Sequence, residues 1–138
     1  MLARALGALT FILALSAGGA SAQEAANGQE PVARGRPLSA WIADLKAAAP
    51  ATRNGAAYEI AGLGPAAKPA VPALIEALDD PDASVRFPVT VALGEIGPDA
   101  AAAVPRLKQM MFEEINDEIA AAAKRAIRHI QPSALAGQ

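Results

Sequence analysis

Three helical stripes recur along the chain with one spacing: Leu38, Trp41, Ile42, Leu45, then Val71, Leu74, Ile75, Leu78, then Val104, Leu107, Lys108, Met111. Each follows i, i+3, i+4, i+7, which is one face of an α-helix, with Lys108 the single polar member. Leu38 to Val71 and Val71 to Val104 are equal steps of about 33 residues, within the range of helical solenoid repeats. A second stripe follows each first one. It is Val85, Val89, Leu93, Ile96 in the middle unit and Thr52, Ala56, Ile60, Leu63 one step earlier. In the last unit Ile119, Ala123, Ile127 and Ile130 match if one extra residue is inserted around Glu113 to Asp117. Each unit is therefore a helix pair whose stripes are buried only by stacking on its neighbours. The pattern predicts an all-α protein, a short α-solenoid of about three helix pairs over residues 37–132.

The punctuation agrees with this register. Gly62-Leu63-Gly64-Pro65 and Glu95-Ile96-Gly97-Pro98 each place glycine at a helix end, where a left-handed conformation is wanted, and then proline. Pro72 and Pro105 fall in the first turn of their helices, where a missing N–H costs little. Asp82 and Asn116 are placed to cap second helices.

Here the sequence resembles a known family. Val71-Pro72-Ala73-Leu74-Ile75-Glu76-Ala77-Leu78, Asp79-Asp80-Pro81-Asp82-Ala83-Ser84-Val85-Arg86 and Ala92-Leu93-Gly94-Glu95-Ile96-Gly97-Pro98 resemble the bacterial HEAT repeat, including the short variety of phycobilisome-lyase-type proteins. The resemblance implies a right-handed solenoid acting as a scaffold, with second helices on its concave face. It also implies an inter-repeat ladder of Asp and Arg. Ala47 stands at the position of Asp80, and Ala120 at that of Arg86, so only a partial ladder is expected.

The chain outside the repeats is of a different kind. Arg4 precedes an apolar run from Ala5 to Ala17, and Ala20-Ser21-Ala22 forms an A-x-A cleavage pattern. Residues 1–22 are thus expected to be a Sec-type signal peptide, too short in its apolar run for the roughly 20 residues of a spanning helix. Residues 23–36 are expected to be a flexible lead-in and residues 133–138 a flexible tail. The mature protein is expected to be periplasmic or secreted, with no membrane insertion after cleavage.

Composition narrows the chemistry. The chain lacks cysteine and has one histidine, and its formal charge of -2 offers no basic field for nucleic acid. His129 lacks the companions of a catalytic zinc site and reads as a last-turn helix residue. Asp79, Asp80 and Asp82 read as an inter-helix turn with a cap rather than a calcium loop, since Pro81 intervenes and no glutamate ligand follows. Glu113, Glu114, Asp117 and Glu118 read as a solvated loop and an acid-rich helix start. No catalytic, cofactor or metal residue is assigned, and the chain is read as not an enzyme. Trp41 reads as part of the closing unit and its core.

One group points to binding. Phe87 and Val91 stand one helical turn apart where this repeat normally has polar residues, and Tyr58 matches Val91 in the first unit. With Thr90 and Asn54 beside them they form a candidate partner-binding strip, unless Pro88 turns Phe87 into the core. The leading expectation is an exported scaffold or adaptor that binds a protein or peptide through its second helices. The alternatives are an accessory subunit of an enzyme or lyase-type HEAT protein, and a self-associating structural protein of the cell envelope.

Overall fold

The computed structural model describes residues 28–137. The signal-peptide assignment over 1–22 and the first part of the lead-in therefore lie outside the described residues. Among the described residues six α-helices follow one another as three pairs: α1 (Leu38–Asp44) with α2 (Pro50–Gly62), α3 (Val71–Ala77) with α4 (Ala83–Ile96), and α5 (Val104–Glu113) with α6 (Asp117–Ile130). A 3-10 segment joins each pair to the next, Gly64–Ala70 and Gly97–Ala103. The second helices stack in series, α2 on α4 and α4 on α6, and each first helix packs on its own second helix.

The core is the double stripe the periodicity marks. Leu38, Leu45, Val71, Leu74 and Leu78 are buried from the first helices, and Val85, Val89, Leu93 and Ile96 from α4. Trp41, Ile42, Leu63 and Ile75 are partly buried, and two further stripe positions depart from the pattern. Thr52 is exposed at the start of α2, and in α5 the buried residue is Met110 rather than Met111. The last difference follows from length: α5 runs to Glu113, whereas α1 and α3 stop after seven residues.

The ends of the helices follow the local chemistry. Gly64 and Gly97 adopt φ of 55° and 81°, the left-handed region that a side chain would strain. The Asp82 carboxylate accepts from the Ser84 N–H at 2.9 Å, and the Asn116 side-chain oxygen accepts from the N–H groups of Glu118 and Ile119. Both cap their helices as the sequence indicates. Gly94 has a separate role. A Cβ there would stand 3.1 Å from Ala126 Cα, so its hydrogen lets α4 and α6 approach closely.

Residues 28–36 are not a loose lead-in. Val32–Ala33 pairs antiparallel with Arg36–Pro37 across a two-residue turn, Arg34-Gly35, in which both residues have positive φ. This hairpin packs on α1 and α2. Trp41 Nε1 donates to the Ala33 carbonyl at 3.1 Å, and the Arg36 guanidinium lies 4.0 Å over the Trp41 ring. Arg36 also pairs with Asp44, and Arg34 with Glu59. The lead-in holds no apolar face of its own, but α1 offers it one. At the other end Pro132–Leu135 forms a 3-10 turn against α6, with Ala134 and Leu135 partly buried on the core. The start of the expected flexible tail, in Pro132–Leu135, is thus ordered against α6.

Candidate partner-binding surface

The second helices are locked together along their starting edge by paired charges. Arg53 at the start of α2 makes a two-pronged contact with Asp80 in the next unit, Nε to Oδ2 at 2.7 Å and Nη2 to Oδ1 at 3.1 Å. Arg86 does the same to Glu114, at 2.8 and 3.0 Å. Each arginine also donates back into its own unit's loop, Arg53 to the carbonyls of Ala47 and Ala48, Arg86 to that of Asp80. The planar guanidinium fork matches a carboxylate on one side while satisfying loop carbonyls on the other.

This corrects the expectation of a partial ladder. Three units have two junctions, and both junctions carry a rung. The first unit needs no acid and the last no arginine, so Ala47 and Ala120 sit at positions without a partner unit. Glu114 was read as solvated loop because the one-residue insertion displaces it from the register of Asp80. In the structure it fills that role, its side chain only 9% exposed.

The electrostatics follow from this geometry. Burial pushes the Asp80 carboxyl up, but the hydrogen bonds from Arg53 and the Asp82 N–H outweigh it and hold the group below the ordinary range. The Arg86 hydrogen bonds hold Glu114 down against a smaller burial effect. The Ser84 hydroxyl and N–H lower Asp82. Asp79, the third acid of that turn, pairs with Arg106 at 2.7 Å. All three aspartates of the turn thus have protein partners. No group of three or more acids or histidines among the described residues is placed to hold a metal ion.

A family model described as HEAT repeats matches residues 38–128. The chain belongs to the HEAT-repeat family. No curated protein matches it. The family match and the stacked pairs together make this a short HEAT α-solenoid, and HEAT repeats generally mediate protein binding.

The candidate strip lies on the second helices of this HEAT stack, and the structure divides it. Tyr58 on α2 is 49% exposed. Phe87 on α4 is half-buried, leaning on the core with one side while lining a hollow of about 360 Å³ with the other. Asn54, Tyr58 and Phe87 share that hollow with Ser84, Glu118 and Ile119. Val91 is half-buried and lines a second hollow of about 250 Å³, with Gly94, Glu95, Ala122, Arg125 and His129. Thr90 does not belong to the surface. It is fully buried, and its hydroxyl donates to the Arg86 carbonyl one turn back at 2.8 Å.

Pro88 neither ends α4 nor sends Phe87 wholly inside, because Asn54 compensates for it. Proline has no N–H for the carbonyl four residues earlier, so the Ser84 carbonyl loses its helical donor. Asn54 supplies one from α2, its Nδ2 donating to that oxygen at 2.6 Å. Asn54 is therefore a bond between repeats as well as a wall of the hollow. Asn54 and Pro88 lie one repeat step and one residue apart in the sequence, and the stacking of α2 on α4 is what brings them together.

Among the described residues three large exposed apolar side chains fall outside the strip: Val32 in the hairpin, Phe112 and Ile115. Phe112 and Ile115, at the end of α5 and in the following turn, are 74% and 97% exposed. Phe112 stands one repeat step after Asp79, where the middle unit is acidic, and Ile115 lies in the connection that carries the inserted residue.

Proposed function

We propose that this protein is a binding scaffold whose second-helix face holds a protein or peptide partner. The observation that carries the reading is the pairing of half-exposed Tyr58 with half-buried Phe87 around one hollow, on a face where the repeat normally carries polar side chains. Aromatic rings supply large contact area with few rotatable bonds to immobilise, and they anchor interfaces for that reason. The single histidine and the lack of cysteine favour a binding role over an enzymatic one. The charged start, apolar run and A-x-A pattern of residues 1–22 support export to the periplasm or outside the cell.

End-to-end stacking of copies is disfavoured by α6. Arg128, exposed on that helix, occupies the position that Gly94 holds in α4, so the next helix would meet a guanidinium instead of a hydrogen atom. A photo-crosslinking residue placed at Tyr58, compared with one at Glu76 on the exposed side of α3, tests the scaffold reading in cells. Adducts from position 58 and not from 76 are expected. Equal adducts from both, or adducts from 76 alone, would move the binding surface to the first helices.

A further inference from the structure

The two hollows lie one after the other along the groove between α4 and α6. Phe87 to Gly94 along α4 and Ile119 to Ala126 along α6 are the same seven-residue step, and these helices pack side by side in parallel. Seven residues of helix advance about 10 Å. Val91 and Ala122 of the second hollow follow Phe87 and Ile119 of the first by about one helical turn, and both are apolar and small.

The ends of the groove differ in charge. Glu118 borders the Tyr58–Phe87 end, whereas Arg125 and His129 border the other, facing Glu95 across it. Arg125 is distinctive among its kind. Arg34, Arg36, Arg53, Arg86 and Arg106 each have a carboxylate partner within the protein. Among the described residues the arginines of α6 have none, and Arg125 is the one that lines a hollow. An exposed guanidinium beside an imidazole, at the end of an apolar floor, is complementary to a carboxylate.

We propose that the occupant of this groove is an extended polypeptide segment of a partner, with an apolar side chain at Tyr58 and Phe87 and a carboxylate at Arg125 and His129. This rests on the scaffold reading and adds the partner's chemistry and direction. Extended chain advances about 3.3 Å per residue, so the two groups stand about three residues apart. Glu118 repels a carboxylate from the aromatic end, which fixes the direction of the segment. Glu95 limits the acidic end to one carboxylate rather than a run.

The test is a random twelve-residue peptide display library selected on the full chain. Enriched peptides are then synthesised, and their affinity is measured by fluorescence anisotropy against the wild-type, Tyr58→Ser and Arg125→Glu proteins. Circular dichroism checks that both variants, altered at exposed positions, keep their fold. The expected result is an enriched apolar residue with Asp or Glu about three positions away. Affinity should fall roughly tenfold or more with Arg125→Glu, since an attraction becomes a repulsion. It should weaken as salt is raised and strengthen with Glu95→Gln. Peptides that need Tyr58 but ignore Arg125→Glu would overturn the carboxylate assignment and leave the scaffold reading in place. No enrichment, or binding indifferent to both variants, would overturn the two together.

Discussion

Arg86 and Arg125 lie on neighbouring parallel helices and carry the same group, yet their surroundings are opposite. Arg86 grips Glu114 with two hydrogen bonds and the Asp80 carbonyl with a third. Arg125 has no carboxylate partner among the described residues and borders a hollow with Val91, Ala122 and Glu95. The same contrast runs through the stack. Along the starting edge of the second helices, arginine, acid and loop carbonyls satisfy one another from unit to unit. Along the groove, Tyr58 and Arg125 are left without internal partners of their kind. Charge and aromatic area serve cohesion on one side and remain available on the other. Disturbing the edge should therefore cost stability and disturbing the groove should not.

Acid is the broadest way to break the edge, because it reaches both rungs together. The carboxyls of Asp80 and Glu114 are held below their ordinary values in the folded protein. Their contribution is therefore present above the ordinary carboxylate range and is lost as pH falls through the lowered values. The melting temperature, followed from pH 7 to pH 3, should decline most steeply below about pH 4, the ordinary carboxylate range. Asp80→Asn combined with Glu114→Gln should flatten that decline. An unchanged decline in the double variant would mean that the rungs do not set it.

Arg86→Ala removes one rung and leaves the Glu114 carboxylate largely buried without its partner. A loss of about 2–3 kcal/mol is expected in chemical denaturation, since removing one partner costs more than the pair's net worth. A smaller effect belongs to Asn54→Ala, about 1 kcal/mol for the freed Ser84 carbonyl, which water can partly reach. That cost should vanish in a Pro88→Ala background, where residue 88 regains an N–H for the same oxygen. The double-mutant cycle reads this coupling directly. Additive effects would show that Asn54 does not answer the proline.

How much of this could be read from the sequence depended on whether a feature was local. The repeat step, the proline positions, the Asp82 and Asn116 caps and the glycine stops at Gly64 and Gly97 are fixed by neighbours in sequence, and all were legible. Features made between units were not. Glu114 was hidden because one inserted residue shifted it out of register with Asp80. The hairpin at Val32–Pro37 was missed because its stability comes from Trp41 and the first helix pair. Thr90 is expected in the strip only as the neighbour of Phe87 and Val91, yet it is fully buried and its hydroxyl bonds one turn back. Tyr58 and Phe87 line one hollow, and Phe87 also leans on the core, so both orientations weighed from the sequence are partly realised.

The central claim is that the groove binds while the edge holds the fold together, and Tyr58→Ser separates the two. Its ring is half-exposed and makes no rung, so the unfolding free energy should stay within about 0.5 kcal/mol of wild type. Partner capture by the same variant, measured as crosslinked adduct from a photo-reactive residue at Phe87, should fall sharply. Loss of stability with capture intact would contradict the account.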